Sequence, residues 1–373
     1  MQDFDSELTQ RVIFGENSIE KLGELTRDLG GSRVFIATDR GIEKAGILAR
    51  AISALQSERI AAYVFADVSP NPTTEDVENA VVAAKADAPI DLIIGLGGGS
   101  SMDCAKGANF LLTNGGKMED YWGTNRAIHP MLPSIGIPTT IGTGSEAQSF
   151  ALIAQQETHI KMACGDRKAK FGTVILDATL TETLPRSVAA ITGIDAIAHA
   201  LESFVSTRRN PMSQMFAQHA WQLLDVNFEA ALESKDTTAR SNMLFGAYLA
   251  GLAIENSMLG AAHACANPLT ARYGITHGVA VALMLPYVIR FNSPFAEESY
   301  RQLHSDGDLA DRIVELKEIG NLPNTLRECS VEYTIGTVDI PTLSKEASIQ
   351  WTAQFNPRPL NEQDFTKLYE AAY

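Results

Sequence analysis

Apolar residues in the first half of the chain fall in short continuous runs that are separated by longer amphipathic segments. Such runs are typical of parallel strands buried on both faces. They occupy residues 33–38, 61–66, 90–96, 134–137 and Thr173–Leu176. Helical patterns lie between them, over residues 41–56, 74–86 and 101–112. Strands that alternate with helices predict a parallel sheet covered by helices.

The second half of the chain has a different pattern, because strand signals almost vanish after about residue 185. Long segments rich in Ala, Leu, Met and Glu predict helices over residues 187–206, 211–231, 237–254, 260–272 and 277–291. Residues 321–341 show little periodicity and predict a loop-rich connection. The sequence therefore predicts an α/β domain over residues 1–186 and an all-helical domain over 187–373.

Composition narrows the class of protein. Hydrophobic residues make up 45% and charged residues 20% of the chain, which is an ordinary globular balance. The net charge of −15 argues against nucleic acid or an anionic membrane as a partner. The apolar runs are interrupted short of the roughly 20 residues of a membrane span, and the N-terminus resembles no signal peptide. Four scattered cysteines without a CxxC pair indicate a reduced, cytoplasmic protein.

A glycine-rich segment, GLGGGSSMDCAK at residues 95–106, follows a predicted strand and opens a predicted helix. Glycines allow close approach of the backbone to a phosphate, and a helix N-terminus presents free N–H groups to it. The alternative is a tight turn that needs glycine for its geometry alone. The segment is not the GxGxxG fingerprint of a first βα unit.

Polar residues also follow two other strands of the predicted sheet. Residues 138–146 (PTTIGTGSE) offer hydroxyls and bare backbone, and Asp39 ends the first strand. Ligands of open α/β sheets bind at the carboxyl ends of the strands, so both sites suit a nucleotide. In one interpretation, Asp39 accepts hydrogen bonds from a ribose and repels a 2′-phosphate, which favours NAD over NADP. In the alternative, Asp39 caps the helix that follows it.

A pair of potential metal ligands lies in TGIDAIAHALE, where Asp195 and His199 are four residues apart and share one helical face. A carboxylate and an imidazole at this spacing can share a divalent ion, with Glu202 orienting His199. The alternative is an exposed ion-pair stripe. His263 and His277, in apolar or small-residue helical settings, complete a set of one Asp and three His that suits Fe(II) or zinc.

Taken together, these stretches resemble the iron-containing (group III) alcohol dehydrogenase family, within the dehydroquinate synthase-like superfamily. The resemblance covers nearly the whole chain. The motifs that carry it are, in order, TDRGIEKAGI, SPNPT, GGGSSMDCAKG, PTTIGTGSE, ILDATLTETLP, GIDAIAHALES, the segments around His263 and His277, and NPRPLNEQDF.

The resemblance implies an N-terminal, Rossmann-like dinucleotide-binding domain with a parallel sheet and an all-α C-terminal domain. It places the metal ligands on Asp195, His199, His263 and His277. It places the cofactor contacts on the following residues: Asp39, Asn71, Gly97, Gly98, Gly99, Ser100, Thr139, Thr140, Thr143 and Lys161.

One departure from the family pattern concerns the substrate side. Many members carry a second histidine four residues after the first in the third motif, whereas this chain has Asn267 there. The change puts the proton path and the usual substrate range in doubt. Asn267 is then a hydrogen-bond partner beside the catalytic His263 and His277. Phe150, Ile254 and Trp122 are further candidates for lining the substrate pocket.

The expected function is hydride transfer between a small alcohol and NAD, with NADP disfavoured and Fe(II) or Zn(II) as the metal. We expect a cytoplasmic homo-oligomer, a dimer, that binds neither nucleic acid nor membrane. An oxoacid reductase or a glycerol dehydrogenase-like member of the superfamily remains an alternative. A nucleotide-binding protein without catalysis is disfavoured, because all four ligand positions are retained. A lyase is disfavoured because Lys and Arg are sparse in the motifs.

Overall fold

The computed structural model describes residues 4–86, 89–233, 237–333 and 335–373. The chain forms two compact units, Glu7–Leu184 and Pro185–Tyr373, and the second of these also includes the described residues 4–6. Ser6 Oγ donates a hydrogen bond of 2.6 Å to Asn256 Oδ1, which attaches this short N-terminal segment to the helical unit. The expected domain boundary lay after residue 186, close to this division.

The first unit is built on a six-stranded sheet in which all neighbouring strands are parallel. Its strand order is β1-β9-β6-β4-β2-β3. The strands are β1 (Arg11–Phe14), β2 (Arg33–Ala37), β3 (Ala61–Phe65), β4 (Leu92–Gly97), β6 (Ser134–Pro138) and β9 (Thr173–Leu176). The five predicted strands are all present, which confirms the parallel sheet. The edge strand β1 was not predicted, because it is short and partly exposed.

The central strands explain why the apolar runs are continuous rather than alternating. Ile94 of β4 pairs in register with Ile36 of β2 on one side and with Ile135 of β6 on the other. All three side chains are fully buried. Strands covered by helices on both faces bury every side chain, so polar positions are excluded from them. The polar residues are thereby confined to the strand ends.

Five helices accompany this sheet: α1 (Leu22–Asp28), α2 (Arg40–Lys44), α3 (Ile47–Ser57), α4 (Thr74–Lys85) and α5 (Gly99–Asn114). The helix predicted over residues 41–56 is in fact two, α2 and α3. Gly46 lies between them with φ 77°. A residue in the left-handed region cannot continue a right-handed helix, and glycine adopts it without steric cost.

A second, smaller sheet in the same unit was missed by the sequence analysis. It has the order β5-β8-β7, with β5 (Gly123–Thr124), β7 (Phe150–Ala154) and β8 (Lys161–Gly165). The strands β7 and β8 are antiparallel, with Leu152 opposite Ala163. Their short length and their content of Ala, Gly and Cys give a weak strand signal.

The described residues of the second unit contain helices and no strands. The helices are α6 (Arg186–Val205), α7 (Pro211–Glu233), α8 (Thr237–Glu255), α9 (Ala261–Tyr273), α10 (His277–Leu303), α11 (Leu309–Ile319), α12 (Leu326–Glu332), α13 (Ile340–Ser348) and α14 (Glu362–Ala372). The predicted end of α10 at residue 291 was wrong, because the helix continues through Pro286 and Pro294. The predicted loop-rich connection over residues 321–341 contains α12 and the start of α13.

Two of these helices, α6 and α10, have the length and hydropathy of membrane spans. The sequence-based expectation that no segment reaches this length therefore needs correction. However, 83% of the apolar window of α6 and 67% of that of α10 are buried inside the protein. A helix that is apolar on all sides is common in the core of a large unit. Both are core helices here.

Candidate metal centre and cofactor site

Three helices of the second unit bring a compact group of metal-ligand side chains together. Asp195 comes from α6, His263 from the first turn of α9, and His277 from the first position of α10. One ligand atom from each residue lies within 4.8 Å of the other two. Side chains from three separate elements therefore converge on one point.

The atoms at this point suit a cation. Asp195 Oδ1 lies 3.4 Å from His263 Nε2, and both atoms are buried without a hydrogen bond of acceptable geometry within the described residues. Burying a polar atom without a partner costs free energy, so native proteins rarely leave two such atoms facing each other. A divalent ion would satisfy both atoms at once. The donor set of carboxylate oxygen and imidazole nitrogen fits Fe(II) or Zn(II).

His199 lies beside this group rather than within it. Its Nε2 is 3.6 Å from Asp195 Oδ1, one helical turn away on α6. Its ring stacks on that of His263 with a centroid separation of 5.0 Å. The structure therefore brings Asp195, His263 and His277 into one compact cluster and places His199 next to the carboxylate.

The charges of the cluster depend on one another. Burial opposes ionisation of Asp195, but the facing imidazoles, with His199 first, hold the pKa of its carboxyl well below the usual range. Burial would also lower the pKa of His263, yet the carboxylates of Glu202 and Asp195 outweigh it and raise this pKa to about 9. The site is a negative pocket that stabilises positive charge, which is what a cation site requires.

Glu202 has a different partner from the one expected. The sequence predicted that it orients His199, and this was wrong. Its Oε2 lies 2.5 Å from His263 Nδ1, and its Oε1 accepts a hydrogen bond of 2.7 Å from Ala262 N. The helical spacing put Glu202 on the face of His199, but it could not reveal that the start of α9 packs on that face. The partner of a residue on another helix is not encoded in local spacing.

In the first unit, the glycine-rich turn joins β4 to α5. Gly97 has φ 146°, and a Cβ atom there would lie 2.4 Å from Ser101 Oγ. A Cβ on Gly99 would lie 3.0 Å from the Thr143 side chain, and one on Gly98 would lie 3.3 Å from Thr140 Cγ2. The turn thus needs glycine both for its conformation and for its close approach to the loop after β6. The two polar segments predicted to flank one site are in contact.

Asp39 has the cap role that the sequence left as one alternative, and the ribose-binding role stays a prediction. Its Oδ1 accepts hydrogen bonds from Gly41 N and Ile42 N, so it caps α2. Its Oδ2 lies 3.4 Å from Ser101 Oγ, beside the glycine turn. A helix cap needs only one carboxylate oxygen, so the second remains at the sheet edge where a ribose would bind.

Several of the other predicted cofactor residues lie around the same turn. Ser100 Oγ accepts a hydrogen bond from Asn71 N at 3.2 Å, and Thr139 N donates to Gly97 O at 2.9 Å. Thr140 Oγ1 is buried and has no hydrogen-bond partner among the described residues. Lys161 is partly buried at the start of β8. Hydroxyl and backbone groups therefore surround the N-terminus of α5.

The sequence analysis missed a buried ionic network on the inner side of this turn. Lys106 is 1% exposed, and its Nζ donates to Ser145 O at 2.7 Å, Ser145 Oγ at 2.9 Å and Phe150 O at 2.6 Å. Ser145 Oγ in turn donates to Asp103 Oδ1 at 2.6 Å. The network links α5 to the loop after β6 and to β7. A lysine and an aspartate three residues apart within GGGSSMDCAK were the available signal.

Glu146, next to this network, is buried as well. Its Oε2 has no hydrogen-bond partner in the described part of the chain. Burial raises the pKa of its carboxyl to about 7, against the weaker opposing effects of a backbone hydrogen bond and Lys106. Glu146 is therefore a carboxyl group that favours its neutral form.

Comparison with known proteins gives a family match for each of the two units of the chain. The family profile "Iron-containing alcohol dehydrogenase" matches residues 9–178, and "Fe-containing alcohol dehydrogenase family, C-terminal" matches residues 189–373. The chain belongs to the iron-containing alcohol dehydrogenase family. This membership confirms the predicted fold and the predicted alcohol dehydrogenase or carbonyl reductase activity.

Two relatives illustrate the similarity in sequence. Alcohol dehydrogenase 4 of Schizosaccharomyces pombe is 38% identical over 282 residues, which cover 75% of this chain and 67% of that protein. The 1,3-propanediol dehydrogenase of Klebsiella pneumoniae is 30% identical over 387 residues, which cover 99% of each chain.

Among solved structures of this family, the sulfoacetaldehyde reductase from Bifidobacterium kashiwanohense in complex with NAD+ superimposes with a TM-score of 0.89. The two proteins are 26% identical, and the match covers 100% of this chain and 99% of that chain.

Asn267, which replaces a histidine of the usual family pattern, lies one helical turn after His263 on α9. Its Nδ2 donates a hydrogen bond of 3.0 Å to Gln350 Oε1. An amide pair of this kind offers hydrogen bonds but has no group that acts as an acid or a base near neutral pH. Of the predicted pocket residues, Trp122 is 44% exposed and Ile254 is 3% exposed, while Phe150 packs its ring over Gly165.

Proposed function

We propose that this chain is an Fe(II)-dependent, NAD-linked alcohol dehydrogenase that also reduces the corresponding aldehydes and ketones. The observation that carries the proposal is the convergence of Asp195 Oδ1 and His263 Nε2, two buried atoms without hydrogen-bond partners, with a ligand atom of His277. No hydrogen bond of acceptable geometry within the described residues satisfies these atoms. A cation between them would do so.

The residues proposed to hold the metal are Asp195, His199, His263 and His277. Asp195 supplies negative charge, and the three histidines supply neutral nitrogen donors. These residues would hold a divalent ion, which would supply stabilisation of negative charge on an alcohol or carbonyl oxygen. Because Asp195 and His263 are buried, this electrostatic effect acts in a medium of low dielectric constant, where it is stronger than in water.

The residues proposed to hold the dinucleotide surround the N-terminus of α5. Its free N–H groups and the bare backbone of Gly97, Gly98 and Gly99 suit a pyrophosphate, with Ser100 and Asn71 beside them. Thr139, Thr140, Thr143 and Lys161 provide the further polar contacts. The nicotinamide ring supplies the hydride chemistry, whereas the protein supplies binding and orientation.

NAD rather than NADP is supported by two observations. Asp39 keeps one carboxylate oxygen at the edge of the sheet, where it would repel a 2′-phosphate. The similar sulfoacetaldehyde reductase was solved with NAD+. We extend that preference to this chain.

The substrate is proposed to be a small alcohol or carbonyl compound. The relatives act on compounds that differ in charge, since one is named for 1,3-propanediol and another for sulfoacetaldehyde. Asn267 is proposed to contribute a neutral hydrogen bond on the substrate side, held in place by Gln350. The protein is further proposed to be a cytoplasmic homodimer. All four cysteines are free and buried, as expected in a reducing compartment.

The test is anaerobic reconstitution of metal-free protein with Fe(II), Zn(II) or no metal. Each form is assayed with NAD and NADP against a panel of alcohols, diols and neutral or anionic aldehydes. We expect one equivalent of Fe(II) per chain and the highest kcat/KM with Fe(II) and NAD. Light scattering in solution measures the oligomeric state.

A variant and its control complete the test. His263→Ala should lose both the metal and the activity, whereas His219→Ala, an exposed histidine on α7, should keep both. Full metal content together with full activity in His263→Ala would rule out the proposed site. Higher activity with Zn(II) than with Fe(II) would replace iron by zinc in the proposal.

A further inference from the structure

The start of α9, which carries His263, is not capped by its own N-cap residue. Gly260 occupies this position and has no side chain to accept a hydrogen bond. The first N–H groups of any helix lack partners within the helix and must find them elsewhere. Here the buried N–H groups of Ala261 and Ala262 face two side chains from distant parts of the chain.

Those side chains are Glu202 of α6 and Asn356 of the segment before α14. Glu202 Oε1 accepts from Ala262 N at 2.7 Å, and Asn356 Oδ1 accepts from Ala261 N at 3.3 Å. A Cβ on Gly260 would lie 3.0 Å from Asn356 Oδ1 and 3.1 Å from Glu202 Oε1. Glycine at the N-cap therefore leaves room for both external caps, and a larger residue would push them apart.

Asn356 is itself held by a reciprocal amide pair. Asn292 Nδ2 donates to Asn356 Oδ1 at 3.0 Å, and Asn356 Nδ2 donates to Asn292 Oδ1 at 2.7 Å. Asn356 Nδ2 also donates to Arg358 O at 2.7 Å. Asn292 lies on α10, the helix that begins at His277. The caps thus connect all three helices that carry the candidate metal ligands.

The remaining oxygen of Glu202 acts on His263 directly. Its Oε2 lies 2.5 Å from His263 Nδ1, and the other ring nitrogen, Nε2, faces Asp195 Oδ1. A carboxylate accepts hydrogen bonds and cannot donate them when ionised. In the neutral imidazole, which is the form that binds a metal, the hydrogen is therefore held on Nδ1 and the lone pair of Nε2 is directed to the cluster.

We propose that Glu202 and Asn356 are positioning residues: together they fix the first turn of α9, and Glu202 also sets the tautomer in which His263 Nε2 is the metal-binding atom. This inference rests on the proposed metal set. The NPRPL motif thereby has a role, since Asn356 belongs to it and its side-chain hydrogen bonds within the described residues go to Ala261, Asn292 and Arg358.

The Glu202→Gln substitution keeps the shape of the side chain and changes only the group that faces His263 Nδ1, so it tests the effect of Glu202 on the His263 tautomer. The glutamine keeps an oxygen that can accept from Ala262 N, but it presents an amide N–H₂ group to His263 Nδ1. That nitrogen must then accept a hydrogen bond, so the proton moves to Nε2 and blocks the metal-binding atom. We expect 10–100-fold weaker binding of Co(II), the typical cost of losing a residue that orients a metal ligand.

The measurement is Co(II) affinity by competition with a chromophoric chelator, on protein whose near-UV circular dichroism shows the native fold. Glu229→Gln removes the same charge from an exposed position of α7 and should bind Co(II) as the wild type does. Asn356→Ala should weaken Co(II) binding less, by several-fold. It should also accelerate amide hydrogen exchange in the peptide that spans residues 260–263.

The outcomes distinguish this inference from the proposed function. Wild-type affinity in both Glu202→Gln and Asn356→Ala, together with a loss of affinity in His263→Ala, would overturn the positioning roles and leave the metal set intact. Wild-type affinity in His263→Ala would overturn the metal set and this inference with it. If the Glu202→Gln variant does not fold, the Asn356→Ala variant tests the proposal. Amide hydrogen exchange at residues 260–263 that is unchanged from the wild type would then contradict it.

Discussion

Asp39 Oδ2 lies 3.4 Å from Ser101 Oγ, so the end of β2 and the start of α5 meet at one carboxylate. The other oxygen of Asp39 caps α2. A single side chain therefore stabilises the local fold and places a negative charge beside the glycine turn. These two roles can be separated by substitution.

Asp39→Ser should relax the preference for NAD without unfolding the N-terminal unit. Serine is a good N-cap, so α2 keeps its cap, while the charge that repels a 2′-phosphate is removed. We expect the NADP-to-NAD ratio of kcat/KM to rise about tenfold, which corresponds to roughly 1.4 kcal/mol. Steady-state kinetics with both cofactors measure it. Asp28→Ser, on an exposed aspartate of α1, is the control, and an unchanged ratio in Asp39→Ser would contradict the selectivity role.

Gly97→Ala should impair cofactor binding, because the new Cβ would lie 2.4 Å from Ser101 Oγ in a backbone conformation that favours glycine. Gly30→Ala is a matched control, since Gly30 has φ 80° and a Cβ added there would have no other atom within 4 Å. Both variants should lose about 1–3 kcal/mol of stability from backbone strain. Only Gly97→Ala should weaken NAD binding in a fluorescence titration. Equal NAD affinity in the two variants would refute a role of the turn in cofactor binding.

Lys106→Met should be strongly destabilising, by about 3–5 kcal/mol, because it removes one partner from a buried ionic network. The oxygens of Ser145 and Phe150 would lose their donor, and Asp103 would lose the positive charge of Lys106 at 3.6 Å. Burial already raises the pKa of the Asp103 carboxyl, against the effect of Lys106, and the substitution should raise it further. Chemical denaturation followed by circular dichroism measures the loss. Lys85→Met, at an exposed site, should differ little from the wild type, and a similarly small effect at Lys106 would contradict this role.

Glu146 should make the protein less stable as the pH rises. Its pKa is about 7 in the folded protein against 4.5 for the ordinary side chain, so the folded state binds the proton more tightly. The corresponding stability is fully present below pH 4.5 and is lost as the pH rises through 7. At pH 8, Glu146→Gln should therefore be more stable than the wild type by up to roughly 3 kcal/mol.

At pH 5 this difference should shrink to under about 1 kcal/mol, because the buried carboxyl is then neutral in the folded state. Urea unfolding at the two pH values measures both differences. Glu157→Gln, at an exposed site of the same unit, should show no such dependence. A gain that is equal at both pH values would mean that Glu146 is ionised in the folded protein.

The strands of the large sheet could be predicted from sequence because burial on both faces leaves continuous apolar runs. Thr173–Leu176 was predicted with its observed bounds. The small sheet could not be predicted, since the residue preferences of β7 and β8 are weak and β7 is held by packing against α5. The break at Gly46 could have been anticipated from the glycine, but its φ of 77° is a property of the folded chain.

The candidate site was predictable to the level of residue types. The spacing of Asp195 and His199 indicated a shared helical face, and the structure places both beside His263. The partner of Glu202 was predicted incorrectly, because helix spacing gives neighbours along one helix and says nothing about the next. The role of Lys106 was not predicted for a similar reason. A lysine in a glycine-rich motif is usually solvated, and only the fold shows that this side chain is buried.

The contact between Glu202 and His263 joins residues 61 positions apart, and the contact between Asn356 and Ala261 joins residues 95 positions apart. Neither contact can form in a nascent chain that has not yet reached its second partner. The first turn of α9 therefore acquires its second external cap only after residue 356 has left the ribosome. At the proposed metal site, full affinity would then arise only in the nearly complete polypeptide, and truncated products that end before Asn356 would hold the ion several-fold less tightly.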